Sequence, residues 1–353
     1  MPIIISRKGK NAIRLEKSSF KQESELQKYI YNNPEGIPLE EIKENVQFLV
    51  FDREFPVSAG SVDVLGIDSE GDIYIIETKL YKNPDKRFVL AQVLDYGGSL
   101  WSFYEDPDGF IQKLDQRLKE KTGIGLAEKL ESVFGNSQEI VNNVKQNLLN
   151  GAFKFIILMD MVPSALKNLI LFINQNSQFS IYSVELEYYT HEGYEILIPH
   201  VFGAESKKKV VSVPGRKTWD YDSFFRHAKE ILDAEEYDVV RKLYDFSREK
   251  ADEITWGTGA STGSFNPKFH SISVRSVYSV RSDGRLYINL GWLNDNEYAL
   301  QWREKLRKEL TTIRPIADYI PETGDKYPGI PPEAWTPAVD EFMTVMTKLL
   351  EGE

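Results

Sequence analysis

Cysteine is absent from the 353 residues of this chain, which excludes disulfides and thiolate-bound metals. That suits a reducing compartment, and the expectation is a cytoplasmic protein. Histidine is scarce. His191, His200, His227 and His270 are scattered without the spacing of metal ligands and read as packed or exposed side chains. No apolar run approaches the roughly 20 residues of a membrane span, so no membrane partner is expected. The opening MPIIISRKGKNAIRL holds one four-residue apolar run, too short for a signal-peptide core. No G-x-S-x-G elbow is present, so an α/β-hydrolase is unsupported. The glycine-rich WGTGASTGSF at 256–265 lacks the Gly-Lys-Ser/Thr ending of a P-loop and follows a helical pattern rather than a strand. It reads as a flexible loop, while Trp256, Phe265, Asn266 and Lys268 leave a ligand or nucleic-acid contact open.

What is present is ordinary in bulk. Hydrophobic residues make up 41% and charged residues 27%, as in a soluble globular protein, and the length suits two domains or three. The net charge of -11 argues against broad, non-specific nucleic-acid binding, which depends on neutralising phosphates. A local basic groove stays open through Lys82, Lys86 and Arg87. The cluster Lys207, Lys208, Lys209, Arg216 and Lys217 reads first as a solvated linker.

Along the chain, residues 18–32 combine helix-start serines, Ser18 and Ser19, with Leu26, Tyr29 and Ile30 at helical spacing. A strand follows in VQFLVFDREFPV, then two more in GSVDVLGIDSEGDIYIIETKL. Helices are expected over 85–105 and most of 110–150, broken near Gly123, Gly125 and FGNS. FKFIILMD reads as a buried strand, PSALKNLILFINQ as an amphipathic helix, and the segments to Gly203 as a hairpin. This alternation predicts an α/β domain over 1–203, a mixed sheet flanked by helices. Residues 204–217 read as a linker, and 218–353 as a C-terminal α+β domain. In that domain helices are expected at 221–233, 235–251 and 295–311, strands at SISVRSVYSV and RLYINLGWL, a proline-rich wrap over 313–335 and a last helix at 336–351. Arg275, Tyr278, Arg281, Tyr287, Trp292 and Arg303 offer either a base-stacking, phosphate-holding surface or a half-buried sheet with solvated arginines.

Three charges interrupt the apolar strands of residues 60–80: Asp63, Glu77 and Lys79. The turn Asp68-Ser69-Glu70-Gly71-Asp72 suits a three-residue hairpin loop, with Gly71 supplying the left-handed backbone. Paired residue numbers then sum to 140, which sets Asp63 opposite Glu77, their Cβ atoms roughly 4.5–5.5 Å apart. Lys79, two residues on, shares their face. Like charges placed opposite each other beside a core are doubly costly. A divalent cation between them is one remedy, and an oxygen donor set of this kind suits Mg²⁺ or Mn²⁺. The arrangement fits metal-assisted attack of water on a phosphodiester.

The pattern Asp63, Glu77-Thr78-Lys79 on a hairpin resembles the PD-(D/E)XK nuclease superfamily, with Ser-Val-Asp standing where the family's name has Pro-Asp. The resemblance covers about residues 20–104 and is nearest to the archaeal-type structure- or single-strand-specific endonucleases. It implies a restriction-endonuclease-like core, metal held by Asp63, Glu77 and the backbone carbonyl of Thr78, and a water positioned by Lys79. It also implies a glutamate on the preceding helix, for which Glu23 and Glu25 both qualify. A Q-x-x-x-Y pair follows on the next helix, Gln92 and Tyr96, four apart and so on one face. These two could face the site, the substrate backbone or ordinary packing.

The resulting expectation is a metal-dependent endonuclease on nucleic acid, DNA ahead of RNA, with a role in repair or defence by analogy. Two alternatives stand beside it: a catalytically inactive binding module of the same fold, and a nuclease switched on by a ligand of the C-terminal domain. A homodimer and a protein partner for the C-terminal domain both stay open.

Overall fold

In the computed structural model, the described residues are 3–7, 10–43, 47–83, 88–135, 137–177, 179–204, 219–257, 259, 262–294, 296–324 and 326–351. Nearly all of the expected 204–217 linker, its basic cluster, and Lys86 and Arg87 lie outside them. The chain divides into two compact units: Met1–Leu126 with Glu139–Val211, and Ala127–Gln138 with Ser212–Glu353. No helix among the described residues is long and apolar enough to cross a membrane.

The first unit opens with a hairpin of β1 (Ile3–Arg7) and β2 (Lys10–Leu15). Then come β3 (Lys17–Ser18), helix α1 (Glu23–Asn32), the short α2 (Leu39–Ile42) and the strands β4 (Phe48–Val57), β5 (Gly60–Asp68) and β6 (Ile73–Lys79). Helices α3 (Val89–Trp101), α4 (Pro107–Thr122), α5 (Leu126–Phe134), which groups with the second unit, and α6 (Ser137–Leu149) lead to β7 (Phe153–Met159), α7 (Ser164–Asn176), β8 (Ser180–His191) and β9 (Tyr194–Phe202). The main sheet runs β3-β8-β7-β6-β5-β4, with β9 paired to β8. Strands β6, β7 and β8 are parallel and the others antiparallel. This is a mixed sheet flanked by helices, the architecture expected from the alternation of strand and helix patterns.

Alternation decides which side chains meet which layer. Val64, Tyr74, Ile76, Ile156 and Leu158 face Leu26 and Ile30 of α1. The opposite face, with Ile75 paired to Phe155, receives α3, which sits so close that a Cβ on Gly97 would lie 2.6 Å from the Phe155 ring. Central strand β6 is buried along its whole length, so Glu77, Thr78 and Lys79 are carried into the interior by their neighbours.

One local expectation needs correction. Ser18 and Ser19 do not start α1: Ser18 pairs with Tyr188 in the sheet, and the helix begins after Gln22 without a side-chain cap. Pro163 stands at the start of α7 as its N-cap.

The second unit holds α8 (Tyr221–Ile231), α9 (Ala234–Lys250), α10 (Glu297–Leu310), the short α11 (Arg314–Ala317) and α12 (Pro332–Trp335), and α13 (Val339–Glu351). They accompany an antiparallel sheet of β10 (Glu253–Trp256), β11 (Ser264–Lys268), β12 (Tyr278–Arg281), β13 (Leu286–Ile288) and β14 (Gly329–Ile330). Helices α8 and α9 each begin with an aspartate capping box, at Asp220 and Asp233. The glycine-rich stretch is flanked by a β10–β11 hairpin rather than standing alone, with Phe265 and Asn266 buried and Asn266 bonded to the Thr255 carbonyl. The expected strand at 271–280 shrinks to its end. The stacking surface fails for a simple reason: Tyr278, Tyr287 and Trp292 are all buried. Residues 127–138 also group here, where Arg285 reaches the Gly135 carbonyl, although the sequence placed them in the first domain.

Candidate active site

The hairpin that carries the three charges is fixed at its turn. Asp68 N–H donates to the Asp72 carbonyl and Gly71 N–H to that of Asp68, while Gly71 has φ of +81°. The ladder pairs Val64 with Ile76, Leu65 with Ile75, Gly66 with Tyr74 and Ile67 with Ile73. Each pair sums to 140, the register read from the turn, and Asp63 and Glu77 are the next residue on each strand beyond the last pair. A buried ion cluster clamps the same end. Lys43 Nζ lies 2.9 Å from Asp68, 2.8 Å from Asp72 and 2.6 Å from Glu70. Lys154 approaches Asp72, and the Tyr74 hydroxyl and Asn147 amide complete the network.

Paired residues end at Val64 and Ile76, and the aspartate fills the gap beyond them. Asp63 Oδ2 accepts from Thr78 N–H at 2.8 Å and from the Thr78 hydroxyl at 2.6 Å. Its Oδ1 accepts from Gln27 Nε2, on α1, at 2.9 Å. Burial pushes the Asp63 carboxyl above the usual carboxylate range, opposed by those bonds and by Lys79. Glu77 has no such support. It is 1% exposed, and its Oε2 is buried without a hydrogen-bond partner among the described residues. Burial first and the Asp63 charge second push its carboxyl up to about 9, against the pull of Lys79, with Glu23 adding to the rise.

Lys79 Nζ lies 3.6 Å from Glu23 Oε2, and Glu23 Oε1 accepts from Leu80 N–H and Asn83. Glu25 turns away: its carboxylate accepts from Lys21 N–H and bears on Tyr188. Of the two candidates on α1, Glu23 is the one beside the hairpin. Gln92 donates to the Tyr96 hydroxyl at 2.8 Å. Burial raises the Tyr96 phenol, the Gln92 bond opposes that, and the charges of Glu77 and Asp63 add to the rise, so α3 contributes a tyrosine to the field of both carboxylates. Lys82 bonds to the carbonyls of Phe20 and Lys21.

Two residues escaped the sequence reading, Gln27 and the Thr78 side chain. Gln27 lies one helical turn after Glu23, a spacing that could have marked it. The Thr78 hydroxyl gave no signal of its own.

Among the described residues no group of three histidine, cysteine or acidic side chains could hold a metal. The donor set is smaller: two acids, each just beyond the last β5–β6 pair, one ending in a buried oxygen with no partner among the described residues. That set fits Mg²⁺ or Mn²⁺, which bind through one or two carboxylates and complete their shells with water or phosphate oxygens.

No protein-family model matches the chain, and no curated protein matches it. Among solved structures, a repair endonuclease from Pyrococcus abyssi overlaps it with a TM-score of 0.21 and 16% identity, over 49% of this chain and 51% of that one. The chain thus spans about half the length of that structure. At this level the likeness bears on neither activity nor substrate.

Proposed function

We propose that the first unit is a metal-dependent endonuclease that hydrolyses phosphodiester bonds of nucleic acid, DNA ahead of RNA. The supporting observation is Glu77: a buried carboxyl in the field of Asp63, with an oxygen that no donor among the described residues reaches. Such a group either keeps its proton or takes a cation. Asp63 and Glu77, with the Thr78 carbonyl, would hold Mg²⁺ or Mn²⁺. The bound ion would supply Lewis-acid polarisation of a phosphate oxygen and a more acidic water. Lys79 would orient the attacking water and balance charge developing on the phosphate, with Glu23 holding the ammonium in place. Tyr96, steadied by Gln92, would offer its hydroxyl to the substrate backbone.

A binding module of the same fold is the second reading. The net charge of -11 favours it, as does a Glu77 that keeps its proton at neutral pH when no cation is near. One experiment separates the two. The full chain is incubated with plasmid, single-stranded DNA and RNA, in Mg²⁺, Mn²⁺ or EDTA, beside Asp63→Ala and Lys79→Ala. Cleavage that needs metal and disappears in both variants is expected. Binding of any of these substrates without cleavage would assign the module instead.

A further inference from the structure

We infer that the Thr78 hydroxyl is a specificity-determining group, which keeps one oxygen of Asp63 occupied and so limits which divalent cation the site accepts. The inference rests on the metal-binding reading of Asp63 and Glu77. A carboxylate offers two oxygens and about four lone-pair directions. At Asp63, Oδ2 already takes two donors, the N–H and the hydroxyl of Thr78. Oδ1 takes one, the Gln27 amide. Among the described residues that leaves one direction on one oxygen, so Asp63 can offer a cation a single oxygen.

That restriction discriminates between ions. Ca²⁺ collects about six to eight oxygens and often takes both oxygens of a carboxylate. Mg²⁺ demands fewer, closer ligands and is satisfied by single carboxylate oxygens with water. The backbone N–H of Thr78 is there whatever the side chain. The hydroxyl is the removable part, and valine is the near-isosteric residue that fits a buried strand equally well. With valine at this position Oδ2 regains a free direction, and the two-oxygen mode becomes open. Gln27 works on the other oxygen. Its loss should loosen the carboxylate for every cation alike without freeing Oδ2.

The test is equilibrium binding of Mn²⁺ and Ca²⁺ to the full chain, by calorimetry and by competition against the Mn²⁺ paramagnetic signal, with no substrate present. The ratio of the Ca²⁺ to the Mn²⁺ dissociation constant should fall about tenfold in Thr78→Val, the scale of outer-shell effects on metal affinity. Thr78→Ser, which restores the hydroxyl, should return the wild-type ratio. Gln27→Met should weaken both ions together. If the valine variant fails to fold, Thr78→Ala carries the same expectation. An unchanged ratio in the folded hydroxyl-free variant, or a serine variant that behaves like it, overturns the inference while leaving the metal site intact. Wild-type protein that binds no Mn²⁺ overturns the metal reading and this inference together.

Discussion

The two carboxylates differ in how they are supported. Asp63 keeps three donors, whereas Glu77 Oε2 has none among the described residues. The consequence for stability has a definite sign. A carboxyl whose proton affinity is raised by folding binds more protons in the folded than in the unfolded state between its two pKa values. For Glu77 that window runs from the ordinary glutamate value of 4.5 to about 9. Its contribution to stability is complete below that window and is lost as pH rises through it. Urea denaturation in EDTA should therefore show stability falling with pH, by at most about 1.4 kcal/mol per unit. Glu77→Gln should remove that part of the slope and be the more stable protein at pH 8. Parallel slopes for the two proteins would contradict the assignment. That Glu77 is buried was legible in the apolar run around it. Its missing donor was not, because it depends on which side chains α1 and α3 bring from elsewhere in the chain.

At the scale of elements, the hairpin register was legible because it is set locally. One glycine with a positive φ and a three-residue loop fix the pairing for the strands that follow. Gly71→Ala would strain the backbone and bring a Cβ to 2.6 Å from that of Asn143. A loss of about 1–3 kcal/mol is expected in chemical denaturation, as for other residues held in sparsely populated backbone regions. The clamp around the turn was not legible, since Lys43 and Lys154 come from distant segments. Lys43→Met leaves Asp68 and Asp72, both fully buried, short of their main counter-charge. Breaking a buried ion cluster from one side should cost about 3–5 kcal/mol, read from the denaturation midpoint. Elements without a clear pattern were missed for the same kind of reason. In the β1–β2 hairpin β2 is exposed at all but its last residue, and β11 buries Asn266 through a bond to Thr255 that no periodicity reports.

For the molecule as a whole, the mixed sheet and its helices followed from long apolar runs alternating with helical patterns. The assignment of 127–138 to the second unit did not, because helix periodicity tells which face is apolar but not which core receives it. A cation bound to the folded state alone should raise the stability of the whole first unit, by about 2.7 kcal/mol at a hundredfold excess over its dissociation constant. Thermal unfolding should accordingly shift upward with Mn²⁺ in the wild type and stay unmoved in Asp63→Asn. The most direct test of the central claim is anomalous diffraction at the manganese edge from crystals of the full chain soaked in Mn²⁺. A peak bonded to Asp63 Oδ1 and Glu77 Oε2 is expected. A soaked crystal with no peak there, and with Glu77 Oε2 still unpartnered, would contradict that claim.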